Sequence, residues 1–265
     1  MRRPVLLSLV LLAASLPARA QPSETIPAAM HDARWSDADA AAAALPDPVA
    51  RKLVLFYRLL TQGAGHPAEI AAFMADNPGW PDQAALSRRL QEAIAAEGDD
   101  RTVLDICARQ LVRETPSMLR CAEAARNAGR PDAAELARQA WVSGISDPAA
   151  ELTFLRRWGP SLTFADQWRR FDRLAWTDNG AVGGPASRQV ARVDPAQRPA
   201  AEARLALRRD DPMARSLVAV LPPGAQIDPA LMLELARWLR RAGKDEDAQK
   251  LWLAMGGAAE RAAPS

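Results

Sequence analysis

The 265 residues carry 34 Lys and Arg against 32 Asp and Glu, a net charge of +2 that excludes a strongly basic nucleic-acid binder. A content of 49% hydrophobic and 25% charged residues excludes a disordered chain. A single Tyr, with Thr and Ile scarce, argues against a β-rich fold, whereas abundant Ala and Arg favour helices.

The first stretch reads as an export signal over 1–20. Arg2 and Arg3 form a basic start, Val5 to Leu16 an apolar run, and Ala18-Arg19-Ala20 a small-x-small cleavage site. The run is too short for a stable membrane span, and no Cys follows it to take a lipid. Losing Arg2, Arg3 and Arg19 on cleavage takes the net charge from +2 to −1. The expected location of the mature chain is the periplasm.

Residues 21–32 are polar and are expected to be poorly ordered, and helices then fill 33–256. Trp35 to Leu45 is an Ala-rich helix capped by Ser36 or Asp37. Val49 to Thr61 follows, with Leu53, Phe56 and Leu60 on its apolar face. Pro67 to Asp76 carries Ile70, Phe73 and Met74. Asn77-Pro78-Gly79-Trp80-Pro81 is a rigid turn bearing an aromatic wedge. Asp82 to Glu97, Arg101 to Val112 and Met118 to Ala128 continue the series at helical spacing.

From Ala125 to Trp176 three helix-length segments are punctuated by Gly-Arg-Pro, Ser-Asp-Pro and Gly-Pro. Residues 178–193 hold the weakest helix and an expected flexible loop, Asn179 to Pro185. Pro195 to Arg209 is an Arg-rich helix. Pro229 to Ala242 and Glu246 to Met255 form a last pair, with Leu231, Leu235, Trp238 and Leu239 expected to face Leu251 and Trp252. The tail 257–265 is expected to fray.

One start signal recurs. Asp-Pro stands at 47, 147, 194, 211 and 228. Asp accepts the orphan N–H groups of a first turn, and Pro at the next position loses no helical hydrogen bond. The turn Ala128-Gly129-Arg130-Pro131-Asp132-Ala133-Ala134 is echoed by Ala242-Gly243-Lys244-Asp245-Glu246-Asp247-Ala248. Frequent starts and short segments suit an all-α stack of short antiparallel helix pairs, an α-solenoid of tetratricopeptide-like units.

Cys107 and Cys121 lie 14 residues apart on either side of a turn at Thr115-Pro116. In an oxidising compartment they either clip two helices together or stay as buried thiols. His31 and His66 sit at loop or cap positions and read as solvated, so neither a metal site nor a His-based triad is expected. No phosphate loop or CxxC motif suggests a cofactor. Asp132, Asp147, Asp194 and Asp228 read as caps, and Glu123, Glu151 and Glu234 as ion-pair partners of Arg, so no catalytic residue is assigned.

The stretch with binding character is Thr163 to Trp176. Phe164, Trp168, Phe171 and Ala175 form a stripe, with Arg169, Arg170 and Arg173 off it and Trp176 at its margin. Trp168, Arg169, Arg170, Arg173 and Trp176 either grip a sugar or anionic peptide, or divide into a core stripe and a solvated basic face.

A family resemblance runs along the chain from Trp35 to Met255. It is carried in order by Asn77-Pro78-Gly79-Trp80-Pro81, Gly129-Arg130, Ala140-Trp141, Glu151, Phe154-Leu155, Gly159 and Arg170-Phe171-Asp172-Arg173-Leu174-Ala175-Trp176. Ala203-Arg204-Leu205-Ala206-Leu207, Asp228-Pro229 and Trp238-Leu239-Arg240-Arg241 complete it. The order resembles the N-terminal superhelical domain of soluble lytic murein transglycosylases. The resemblance implies a right-handed superhelical, U-shaped stack of helix pairs in the periplasm, which in the family precedes a lysozyme-like domain. In that domain a single Glu, acting as acid and then base, cleaves peptidoglycan to a 1,6-anhydro-muramic acid end.

The family's catalytic motif, Glu-Ser continuing to Gly-Leu-Met-Gln, does not occur here. The resemblance therefore implies a module that works on peptidoglycan, or with a separate catalytic domain, and is inactive alone. The family's helices would continue past Ser265. The alternative is a free-standing periplasmic adaptor for a protein partner.

Overall fold

A computed structural model describes residues 22–177 and 180–258. The expected signal peptide and the tail beyond 258 lie outside them. Among the described residues there is no strand. In order come α1 (Pro22–His31), α2 (Trp35–Ala43), α3 (Pro48–Leu60), α4 (Pro67–Asp76), α5 (Gln83–Ala96), α6 (Asp100–Arg109), α7 (Thr115–Asn127) and α8 (Ala133–Ser143). They are followed by α9 (Pro148–Trp158), α10 (Phe164–Thr177), α11 (Pro185–Val190), α12 (Arg198–Arg208), α13 (Ala214–Ala219), α14 (Pro223–Gln226), α15 (Pro229–Arg241) and α16 (Asp245–Met255). The chain is all-α.

The Asp-Pro signal works in two ways. Asp47, Asp147 and Asp228 each accept a first-turn amide, from Val49, Ala150 and Leu231 at 2.7–2.9 Å, and cap α3, α9 and α15. Asp194 and Asp211 instead accept from Ala196 and Met213, two residues on, and form a turn that precedes α12 and α13. Two more expected caps fail. Asp132 has helical backbone angles, and its carboxylate turns to Arg130. The residue before α2 is Arg34, which pairs with Asp37 at 2.7 Å in place of any side-chain cap. His66 caps α4: its Nδ1 accepts the Ala68 amide, Glu69 accepts the His66 amide, and Nε2 lies 2.8 Å from Glu97.

The core is a series of clusters in chain order. Phe56, Leu59, Ile70, Phe73, Leu86, Leu90, Ile94, Val103 and Ile106 join α3 to α6, and Cys121 and Ala124 tie in α7. Trp80 wedges into this cluster, 5.2 Å from the Phe56 ring and 5.5 Å from Phe73. Ala122, Ala125, Ala133, Ala137, Trp141, Phe154 and Trp158 join α7, α8 and α9. Phe171, Leu174, Ala186, Ala201 and Leu205 join α10, α11 and α12. The opposite side of α12, with Ala203, Ala206 and Leu207, packs on α13 and α15 through Val218 and Leu231. Helix α12 is thus buried on two faces, and its Ala residues let neighbours approach closely. Cys107 of α6 and Cys121 of α7 form a disulfide with Cα atoms 6.2 Å apart.

Four expectations need correction. Residues 22–31 are helical, because Ile26 and Ala29 bury against Ala38, Ala42 and Val54. On α3, Leu53 and Tyr57 face solvent and Leu59 is the fully buried residue. The last pair does not meet through Leu231, Leu235 and Trp238, which pack toward α12 and α13. Leu233 and Met255 meet instead, and Trp252 is half exposed. Finally, within the expected loop Gly180 is buried against α12, at φ +78°.

Candidate functional site

The five residues singled out on α10 do not form one surface. At the start of the helix Thr163 and Asp166 exchange hydrogen bonds. The Asp166 carboxylate accepts the Thr163 amide at 2.8 Å, and Thr163 Oγ1 accepts the Asp166 amide at 3.2 Å. This turns Asp166 inward and rotates the buried stripe to Asp166, Arg170, Phe171, Leu174 and Ala175. Phe164 is left 58% exposed. Trp168 packs on Phe171 with ring centroids 5.3 Å apart. Arg169 is exposed and pairs with Asp166. Arg173 donates to the Ser143 carbonyl at 3.1 Å, and Trp176 lies beneath the Arg237 guanidinium at 4.8 Å.

Arg170 is the clearest departure. Expected off the apolar stripe, on a face that grips a ligand or is solvated, it is 0% exposed and offers no surface to a partner. Its guanidinium donates to the carbonyls of Trp141 at 2.6 Å and Ile145 at 2.7 Å, to Glu151 at 2.9 Å and to Gln189 at 3.2 Å. It also lies 3.8 Å above the Trp141 ring. Burial pulls its pKa down to about 10, with Glu151 opposing that fall. Glu151, itself 1% exposed, is met also by Arg188 at 3.2 Å and Arg192 at 3.6 Å. One carboxylate and three arginines therefore pin α9, α10 and α11 together, with α8 held through Trp141. The signal that points to it is Leu174: one turn after Arg170, it widens the Phe171–Ala175 stripe toward the Arg170 side of the helix.

A second latch joins α10, α12 and α15. Glu234, 1% exposed, accepts from Arg208 and Arg237 at 2.9 Å each. Arg208 also donates to the Trp176 carbonyl at 2.9 Å. Arg204, 2% exposed, pairs with Asp172 and lies 5.7 Å from the Phe171 ring. The expectation of Arg–Glu ion pairs at 151 and 234 thus holds, and both are buried. Glu123 makes a more exposed pair with Arg157 at 2.8 Å.

An open concavity of about 840 Å³ lies between α7 and α9. Pro116, Leu119, Glu123 and Arg126 line it from α7; Ala150, Thr153, Phe154, Arg157 and Trp158 from α9. Each set falls on one helix face. The stacked rings of Trp141 and Phe154, 4.8 Å apart, fill the space behind it with Trp158 and hold α9 away from α7. The two helices run in the same direction. Thr115 meets Ser143 at 2.6 Å just before α9, and Glu123 meets Arg157 toward the far ends. One end of the groove is therefore apolar, and Arg126, Arg156 and Arg157 crowd the other.

Among the described residues no group of three His, Cys, Asp or Glu is placed to hold a metal, and no helix is long and apolar enough to cross a membrane. No known protein family, curated protein or solved structure matches the chain.

Proposed function

We propose that this chain is a periplasmic helical-repeat module of the soluble lytic murein transglycosylase type, which engages peptidoglycan without cleaving it. One observation carries the reading. Among the residues on which the resemblance rests, Trp141, Glu151, Phe154, Arg170, Asp172, Trp176 and Arg204 latch one helix to the next. Residues tied to a particular helix-on-helix architecture are what a shared superhelical stack would retain. The serial core clusters support the same stack, since each joins a few consecutive helices and shares a helix with a neighbour.

The buried carboxylates are committed to holding helices together or to capping one. Glycan cleavage by a single carboxyl group needs a raised pKa in a cleft. Glu151 is held by three arginines and Glu234 by two. Burial raises Asp166, but the Thr163 amide and hydroxyl and the Arg169 guanidinium outweigh it and hold its pKa below the ordinary Asp value. Digestion of purified sacculi with this chain, followed by mass spectrometry of the soluble fraction, tests the reading. The expected result is no anhydro-muropeptide above a buffer control; accumulation of such products with time would overturn it.

A further inference from the structure

The lining of the groove between α7 and α9 includes none of the charged side chains of either latch, and its chemistry is directional. Along α7 its lining spans Thr115 to Arg126, and along α9 Ala150 to Trp158. At 1.5 Å per helical residue that is about 12–17 Å, the reach of roughly four to five residues of extended chain. The floor is apolar: Leu119, Phe154 and Trp158. The cationic end has more positive charge than the fold consumes. Arg157 is paired with Glu123. Arg156 reaches only the Thr153 hydroxyl, at 3.2 Å, and Arg126 has no carboxylate partner among the described residues. Both are exposed.

A sugar-binding groove presents open aromatic faces for stacking. Here the Phe154 and Trp158 rings are spent on packing, at 3% and 6% exposure. An apolar side chain against the more open Pro116 and Leu119, with a carboxylate beside the Arg126 and Arg156 guanidiniums, satisfies the site better. We propose that this groove docks a short extended segment of a partner protein, carrying Asp or Glu at one end and a bulky apolar side chain about two to four residues away. This goes beyond the peptidoglycan reading, and either can fail alone.

Selection of displayed random heptapeptides against the whole protein tests it. The expected consensus pairs acidic with Leu, Phe or Trp positions. A fluorescent copy of that consensus should bind at least tenfold more weakly to the double variant R126E/R156E, and normally to R215E, which changes an exposed arginine elsewhere. Circular dichroism establishes that the double variant is folded; if it is not, the milder R126Q/R156Q pair replaces it, with a loss of at least threefold expected. Three results would overturn the proposal: no consensus, a consensus without acidic residues, or binding indifferent to these arginines. Pelleting with purified sacculi should be unchanged in the arginine variant. Its loss would make the groove a wall site and overturn the protein-segment assignment.

Discussion

Replacing Glu151 by Ala removes the carboxylate that three arginines share. Arg170 cannot follow it into water, because its side chain is fully enclosed by Trp141, Ile145 and Gln189. Its two carbonyl partners and the Trp141 face remain, but the charge is no longer neutralised. Arg188 and Arg192, each about one-quarter exposed, can turn outward. Breaking a buried pair from one side costs about 3–5 kcal/mol, and the retained carbonyl bonds place this case near the lower bound. Glu123→Ala, which breaks the exposed pair with Arg157, should cost under about 1 kcal/mol. Urea unfolding followed by far-ultraviolet circular dichroism reads both. The double variant E151L/R170M should fall short of the summed single losses by at least about 1 kcal/mol, since it removes both buried charges. An E151A loss no larger than that of E123A would refute the latch.

Three further outcomes follow from other parts of the fold. Reducing the Cys107–Cys121 bridge releases a 14-residue closure, so unfolding with reductant should lose about 3 kcal/mol; an unchanged midpoint would contradict this. Asp166→Asn should cost about 1–2 kcal/mol at neutral pH through the weakened first turn of α10. Because the folded pKa of Asp166 is depressed, that difference is full above the ordinary Asp value of about 3.9 and fades as pH falls through the lower folded value; a pH-independent difference would count against it. Gly180→Ala and Gly183→Ala both put a side chain at φ +78°, costing about 1–2 kcal/mol each. At 180 the new Cβ also meets the Leu205 carbonyl at 2.9 Å and Arg208 at 3.0 Å, which adds about 1–3 kcal/mol; equal losses at the two sites would show that α12 does not press on this turn.

Helix identity was legible in the sequence because the starts are chemically explicit. Asp47, Asp99, Asp147 and Asp228 mark four of them with a carboxylate that accepts a first-turn amide. Which way each helix faces was harder to read. On α10, capping through Thr163 and Asp166 rotates the buried stripe, and a charged Arg170 enters it because Glu151, 19 residues earlier, awaits it. Such a partner cannot be found from local periodicity. The same limit applied to α15, where both faces are apolar and the choice of neighbour is tertiary. The α7–α9 groove was invisible for another reason. It is made by what Trp141 and Phe154 keep apart, and sequence spacing reports contacts along one helix rather than gaps between two.

The most direct test of the proposed wall binding is sedimentation of the purified chain with insoluble peptidoglycan at low ionic strength. The chain is expected to pellet with the sacculi in a saturable manner, and the sacculi to stay intact by turbidity. A chain that stays in the supernatant at every sacculus concentration would contradict it.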